Sequence, residues 1–366
     1  STHQRRCSGM SSEQVVLVAG GTGGHINAAI AMGERLALQG YSLRYLTGQR
    51  PLDYKLFKGL SAEHLSSWPL RTKNPVKLII ATARNFVVFL SIFFSFLKIR
   101  PRFIVGAGGY VCGPTLLAGK MLGIPIFIFE QNAVLGLTNK ILARISDLIF
   151  THFRDTKGLP ASLKNKVRVV GNPTRQSIKR PADRSNDGVL RVLVFGGSLG
   201  ASQINQLVTE WVKQDQDSPV SVIHQTGNEE NVIPSVGKNI EYRAHKYLDQ
   251  IQDQFQWCDV ILARAGASSV AELRIVKKPC FLIPFPQATD NHQWWNALQF
   301  KEESDFTVEV VEPKAAKEEM AQKLSHFLTR ARLGQLQASQ SKVIPLDSGL
   351  MALKEIYQHV GIVGKN

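Results

Sequence analysis

The chain has 366 residues, enough for two domains that each bury a core. Hydrophobic residues make up 44% and charged residues 20%, the balance of an ordinary globular protein, which excludes a disordered or fibrous chain. Lys and Arg number 44 against 29 Asp and Glu, a net charge of +15 that favours an anionic partner: nucleic acid, acidic membrane or phosphorylated substrate.

Residues 1–13 are polar, lack the apolar core of a signal peptide, and are expected to be a tag or disordered leader. A buried strand, Val15-Val16-Leu17-Val18-Ala19, then runs into Gly20-Gly21-Thr22-Gly23-Gly24-His25. A glycine turn of this kind lets backbone N–H groups and a helix N-terminus face a ligand with no side chain between, which suits phosphates and sugars. The pattern predicts a helix over 26–39, a strand at 43–46 and a long apolar helix over 76–99. A strand at 102–105 enters Gly106-Ala107-Gly108-Gly109-Tyr110-Val111-Cys112-Gly113-Pro114, followed by a helix over 115–122. Strands at 126–130, 148–150 and 167–170 complete the half at Gly171-Asn172-Pro173. Such alternation implies a parallel sheet with helices on both faces.

Residues 179–188 form a polar linker, so the first domain is read as 14–178. The pattern then restarts. A strand at 191–195 enters a second glycine turn, Gly196-Gly197-Ser198-Leu199-Gly200-Ala201. Helices are expected at 202–214, 247–256 and 268–276, and strands at 220–224, 259–263 and 279–283. The second domain is read as 189–346, and 347–366 as a C-terminal helix returning across the cleft. The fold class is therefore α/β, two Rossmann-like domains facing a cleft.

From Asn85 to Leu97 the chain carries no charge, with Lys73, Lys77 and Arg84 before it and Lys98, Arg100 and Arg102 after. A spanning helix needs about 20 apolar residues, so the stretch reads as too short to cross a membrane. Two readings stand: a fully buried helix, or one lying in an anionic membrane interface with its basic flanks on headgroups. The cysteines, Cys7, Cys112, Cys258 and Cys280, form no CxxC pair and indicate neither a zinc site nor a disulfide framework. No cluster of metal-ligating residues appears, and no cofactor is implied. Nucleic acid has little support, because no recognition module or interleaved aromatics accompany the charge.

The first glycine turn taken alone fits many nucleotide-binding families. A dinucleotide enzyme would place an acid at the end of the second strand, and here that strand ends Thr47-Gly48-Gln49-Arg50. The better nucleotide site is Ala263-Arg264-Ala265-Gly266-Ala267-Ser268-Ser269-Val270-Ala271-Glu272-Leu273, a strand end, glycine turn and helix start. Its amides can take a pyrophosphate. Glu272 offers two oxygens to two vicinal ribose hydroxyls, or it simply complements the helix dipole.

Taken in order, GGTGGH, GAGGYVCGP, FEQN, VGNPTR, GGSLGA, RAGASSVAEL and DNHQWWNA are a specific set. With them the chain resembles, over nearly its whole length, the MurG family of GT-B glycosyltransferases. These enzymes add N-acetylglucosamine (GlcNAc) to the undecaprenyl-pyrophosphoryl-MurNAc-pentapeptide lipid. The resemblance implies a UDP-GlcNAc donor in the C-terminal domain and a polyprenyl-pyrophosphate acceptor at the N-terminal one. It implies a peripheral enzyme on the cytoplasmic face of the inner membrane, with other cell-wall synthesis proteins as possible partners.

Carried over by motif, Ser198 contacts the donor pyrophosphate and the backbone of Leu248 reads uracil. Ala267, Ser268, Ser269, Val270, Ala271 and Glu272 cradle phosphate and ribose. Gln293 binds sugar hydroxyls with Asn296 beside it, and Thr22, Gly23, Gly24, Asn132 and Arg175 close over the sugar. Gly108, Gly109 and Tyr110 belong to an acceptor-pyrophosphate nest. His25 is the first candidate base, with a phosphate or acceptor contact as its alternative, and Glu130 is the competing base. Three positions depart from the family: Ala28 replaces a usual Pro, Phe129 a His, and His292 a Gln. Two rivals are retained, a UDP-GlcNAc 2-epimerase of the same fold and a non-catalytic UDP-sugar scaffold.

Overall fold

The apolar runs are continuous rather than alternating, so each strand is buried on both faces and the sheets are parallel, with helices covering each side. The computed structural model describes residues 13–70, 72–182, 187–196, 201–227, 235–339 and 347–362. The expected leader, except Glu13, and residues 183–186 of the expected linker lie outside that set.

The first unit runs β1 (Gln14–Val18), α1 (Gly23–Leu38), β2 (Ser42–Thr47), α2 (Pro51–Leu56), β3 (Ala62–His64), α3 (Pro75–Lys98) and β4 (Ile104–Gly106). It continues through α4 (Cys112–Met121), β5 (Ile126–Glu130), α5 (Leu137–Leu142), β6 (Leu148–Thr151) and β7 (Val167–Val169). The second runs β8 (Leu190–Phe195), α6 (Ser202–Trp211), β9 (Val220–Gln225), β10 (Ile240–His245), α7 (Ile251–Trp257), β11 (Val260–Ala263) and α8 (Ala267–Val276). Then follow β12 (Cys280–Leu282), α9 (His292–Glu303), β13 (Val308–Val310), α10 (Lys317–Arg332) and α11 (Ser348–Val360).

Both sheets are parallel and wound alike. The first has seven strands in the order β3-β2-β1-β4-β5-β6-β7, the second six in the order β10-β9-β8-β11-β12-β13. In each, the first strand lies third in the order and the winding reverses beside it. Ligands bind at that reversal, beyond the strand C-termini. The turns after β1 and β4, and those after β8 and β11, therefore flank the two switch points. The expected α/β class with two Rossmann-like sheets is the one observed.

Several elements escape the pattern reading. β3 is a short, half-buried edge strand, and β10 alternates half-buried with exposed residues, so neither shows an apolar run. α7 begins at Ile251, four positions later than expected, and the Leu248 N–H before it is bonded to Gln225 Oε1 at 3.0 Å. α10 buries Met320, Leu324, Phe327 and Leu328, a helical stripe that was legible but not read.

The chain end packs on the beginning. Ala352, Leu353 and Ile356 of α11 join the cluster of Leu17, Met32 and Phe127 on one face of the first sheet. Buried Arg35 meets Asp347 through Nε and Nη2, at 3.2 and 2.8 Å, and Asp347 caps α11 by accepting from the Gly349 and Leu350 N–H groups.

The reading of α3 as a fully buried helix is overturned. It is a 24-residue helix, long and apolar enough by length and composition to cross a membrane, although the uncharged stretch suggested otherwise. Only Ala81, Val88, Ile92 and Phe96 are buried, on the face that packs over the first sheet with Ile104 and Leu116. That packing lays the helix along the domain surface. Val76, Ile79, Phe86, Val87, Phe94 and Leu97 are each more than half exposed on its outer side. Asn85 breaks the apolar pattern to hold the neighbouring loop. Its Oδ1 accepts from Ser67 Oγ and Trp68 N at 2.6 and 3.0 Å, and its Nδ2 donates to the Trp68 carbonyl at 2.9 Å.

Ile356→Ala is expected to destabilise the protein by about 3 kcal/mol, as for other buried Ile-to-Ala changes, read as a lower urea midpoint. Exposed Lys354→Ala on the same helix is expected to shift it by less than about 0.5 kcal/mol.

Candidate functional site

A cavity of about 820 Å³ lies between the two units. Gly23, Gly24, Asn27 and Arg175 line it from the first unit. Gln203, Gln225, Tyr247, Leu248, Arg264, Ser268, Ser269, Glu272, Phe285 and Gln293 line it from the second. Two helices begin at its wall. α1 starts at Gly23 with Thr22 as its cap, whose Oγ1 accepts from the His25 N–H at 3.4 Å. α8 starts beyond Gly266, which has no side chain to cap it, so its first-turn N–H groups are left for a ligand. The open side of Gly24 looks onto Ser268 Oγ and Ala267 Cβ, so the positive ends of two helix dipoles converge. Ser268 Oγ is itself buried and finds no partner among the described residues.

Arg264 directly follows β11 and is buried. Its Nη1 donates to Gln203 Oε1 and to the carbonyls of Ile283 and Pro284 at 2.9, 2.9 and 3.1 Å, and burial lowers its pKa to about 10. Burial raises the Glu272 carboxyl to about 7, partly offset by the Arg175 guanidinium. Arg175 is exposed and otherwise reaches Asn27 Oδ1 at 3.5 Å. The site thus pairs two helix termini and two guanidiniums with one carboxyl poised near neutrality.

The glycine loops of the first unit interlock. Gly20 N donates to the Gly108 carbonyl at 3.2 Å. Gly108 and Gly109 have φ of 107° and 92°, and a Cβ at Gly109 would collide with the Gly20 carbonyl oxygen. A Cβ at Gly108 would lie 2.8 Å from His25 Nε2, so that imidazole edge rests on the second loop. His25 Nδ1 lies 3.1 Å from the Gly20 carbonyl oxygen, which only accepts. The neutral ring therefore carries its hydrogen on Nδ1 and keeps the Nε2 lone pair. Burial lowers the His25 pKa, against opposite pulls from the Gly20 bond and the Glu130 charge, so the ring is neutral at pH 7. Tyr110 carries the Arg50 guanidinium over its ring at 5.0 Å. Gly108, Gly109 and Tyr110 do not line the large cavity.

Three expected site residues have other work. Glu130 is buried, and its carboxylate accepts from Asn132 N, Asn132 Nδ2, Gly136 N and Asn139 Nδ2 at 3.0, 3.3, 2.9 and 2.9 Å. Four donors fill the lone-pair positions of a carboxylate, so Glu130 orders the loop and is poorly placed as a base. Asn132 faces Glu130 with its Nδ2, and its Oδ1 accepts from Asn296 Nδ2 at 3.1 Å. Asn296 is fully buried rather than open to a sugar: its Oδ1 accepts from Ala133 N at 2.7 Å and its Nδ2 also donates to the Ala265 carbonyl at 3.1 Å.

Gln293 lines the cavity, its Oε1 accepting from Phe285 N at 3.0 Å and its NH₂ left to the space. Leu248 also lines it, with its N–H engaged by Gln225 Oε1. Val270 and Ala271 are buried and turned away from the cavity, as the helical period demands when 268, 269 and 272 face it. Ser198 lies outside the described residues. Phe129 packs in the core on Phe150, with ring centroids 5.0 Å apart. His292 bonds through Nδ1 to the Thr289 carbonyl at 2.8 Å. The sequence motifs did not single out Asn27, Gln203, Gln225, Phe285 or the Arg264 side chain. A lone arginine at the C-terminal end of an apolar strand was the available signal for Arg264. Among the described residues no group of three or more His, Cys, Asp and Glu could hold a metal ion.

Residues 15–151 match the N-terminal domain of glycosyltransferase family 28, and residues 191–346 its C-terminal domain. The chain is similar to the UDP-N-acetylglucosamine–N-acetylmuramyl-(pentapeptide) pyrophosphoryl-undecaprenol N-acetylglucosamine transferase of Shewanella denitrificans. The identity is 31% over 295 residues, which cover 78% of this chain and 80% of the relative. Among solved structures, MurG of Acinetobacter baumannii superposes with a TM-score of 0.73 at 24% identity, covering 94% of this chain and 99% of that one. UDP-GlcNAc 2-epimerase of Neisseria meningitidis superposes with a TM-score of 0.59 at 12% identity, covering 94% and 100%. At such identities the structures establish the shared fold alone.

The Glu272 carboxyl is expected to titrate near pH 7 in a ¹³C carboxyl NMR experiment. Arg175→Gln is expected to move that midpoint upward, because it removes the charge that favours the ionised form.

Proposed function

The chain belongs to glycosyltransferase family 28, and from that premise we propose that it moves GlcNAc from UDP-GlcNAc to the 4-hydroxyl of MurNAc in undecaprenyl-pyrophosphoryl-MurNAc-pentapeptide. The observation that carries the site assignment is the cavity between the units, where two helix N-termini and Arg264 converge and His25 stands at the adjoining glycine loops.

The donor diphosphate sits at the start of α8, against the Ser268 and Ser269 amides, with Arg264 and Arg175 supplying charge. The Glu272 carboxylate accepts the two ribose hydroxyls. Tyr247 and the Leu248 carbonyl meet uracil, and the Gln293 NH₂ donates to a sugar hydroxyl. The acceptor diphosphate lies on the loop of Gly108, Gly109 and Tyr110. The muramyl 4-hydroxyl attacks C1 of the α-linked GlcNAc from the face opposite UDP. The new C1–O bond forms as the bond to UDP breaks, and the hydroxyl proton passes to His25 Nε2. A β-1,4 linkage results. Proton removal contributes about 10²–10⁴-fold, and fixed dipoles stabilise the charge growing on UDP. The helix termini and guanidiniums supply that stabilisation from the chain itself, and transfer is expected to continue in EDTA.

The acceptor is a lipid, and α3 gives the enzyme a peripheral seat on the cytoplasmic face of the membrane. Its outer apolar side faces the acyl boundary, while Lys73, Lys77, Arg84, Lys98 and Arg100 meet anionic headgroups at about 1 kcal/mol each. Asn85 holds Trp68 beside this face, and Arg84 stacks over the Trp68 ring at 4.3 Å.

In a transfer assay with labelled UDP-GlcNAc and a short-chain acceptor analogue, His25→Ala is expected to lose about 10²–10⁴-fold in kcat. Glu272→Ala is expected mainly to raise the donor KM. Formation of UDP-N-acetylmannosamine without transfer would overturn the proposal in favour of epimerisation. UDP-GlcNAc affinity, measured by calorimetry, is expected to rise as pH increases through 7 and Glu272 ionises, with Glu272→Gln flattening the response. In flotation assays, Phe86→Asp with Phe94→Asp is expected to abolish binding to phosphatidylglycerol vesicles, and high salt to weaken it in the parent chain.

A further inference from the structure

Asn296 joins the donor half of the cleft to the acceptor half, and we propose that it is a positioning residue, setting the separation of the two substrate sites while touching neither substrate. The inference rests on the transferase reading above.

Three hydrogen bonds fix the amide. Oδ1 accepts from the Ala133 N–H at 2.7 Å, while the two Nδ2 hydrogens go to Asn132 Oδ1 and the Ala265 carbonyl, each at 3.1 Å. The Ala133 N–H can only donate and the Ala265 carbonyl can only accept, so the amide has one orientation. Both hydrogens are engaged, and the side chain is fully buried, so a sugar hydroxyl could reach the NH₂ only by breaking the joint.

What the bonds connect gives the joint its role. Ala265 precedes Gly266, the cap of α8, which carries Ser268, Ser269 and Glu272 into the cavity. Asn132 and Ala133 lie two and three residues beyond Glu130, whose carboxylate binds both Asn132 nitrogens and anchors the loop at the end of β5. A continuous path therefore runs from the start of α8, through Asn296, to the first sheet. Ala133 and Phe153 of the first unit lie in one apolar cluster with Ala265 and Ala297 of the second, so the joint is embedded in core packing. Such an amide stiffens the seam, because in low dielectric its bonds are hard to exchange for water. Across the cavity, the open side of Gly24 faces Ser268. Transfer needs the attacking hydroxyl in line with C1, and a misplacement of about 1 Å costs about 10²-fold.

The test compares the full-length parent, Asn296→Ala, Asn132→Ala and the double variant, with kcat from the transfer assay and UDP-GlcNAc Kd from calorimetry. Asn296→Ala is expected to lower kcat by about 10²-fold with the donor Kd unchanged. Asn132→Ala is expected to move kcat in the same direction by less. The double variant is expected to be no worse than Asn296→Ala, since the pair acts as one unit. If Asn296→Ala does not fold, Asn132→Ala probes the same joint from a half-buried loop. Unchanged kcat in the variants overturns the proposal. So does a rise in donor Kd matching the loss in kcat/KM, which would place Asn296 on the donor. Multiplying losses in the double variant also overturn it. A parent chain that binds UDP-GlcNAc but makes no product removes the transferase reading instead.

Discussion

A parallel strand cannot be followed by its neighbour without a crossover, and this constraint organises the whole molecule. Every crossover helix that follows a strand starts at the same edge of the sheet, so N–H groups and glycine turns accumulate there. The chain does this twice, in the same strand order, and sets the two edges face to face. The cavity is the space between them. Its chemistry follows from the same cause, because helix N-termini bring partial positive charge without any charged side chain.

The electrostatics of the site are asymmetric in a useful way. The second unit supplies the buried Arg264, the uncapped start of α8 and the Glu272 carboxyl, all suited to a nucleoside diphosphate. The first unit supplies a neutral imidazole whose Nδ1 hydrogen is tied to the Gly20 carbonyl, which leaves the lone pair on Nε2, where the proposed reaction uses it. Two of the three departures of the chain from its family fall outside this arrangement. Phe129 fills core volume against Phe150, and Ala28 is buried within α1. His292 is different: it stands at the start of α9, beside Gln293 on the cavity wall.

Two helices packed on the first sheet's unit place apolar side chains in opposite ways. α11 inserts Ala352, Leu353 and Ile356 into the sheet core, so the end of the sequence stabilises its beginning. α3 buries one narrow stripe and leaves much of its apolar surface outside. An exposed face of this extent on a basic protein fits an anionic lipid surface, and the acceptor of the proposed reaction is itself a lipid.

The fold class and most central strands were legible in the sequence, because strands buried on both faces leave continuous apolar runs and glycine turns mark their ends. Edge strands β3 and β10 were not, since a half-solvated strand needs no such run. Of the site, Glu272, Ser268, Gln293 and Arg175 line the cavity, and they could be found because each belongs to a local motif. Local motifs cannot say which way a side chain turns once two domains meet. Glu130 and Asn296 belong to equally clear motifs, yet Glu130 is saturated by loop amides and Asn296 bridges the domains. Whether α3 was a core helix or an exposed one was likewise undecided by composition, because the same apolar residues suit either. The sequence by itself determined the central strands, the turns and the type of chemistry, all properties of neighbouring residues. The tertiary structure alone decided which polar groups remain open to a ligand, because that depends on partners far away in the chain.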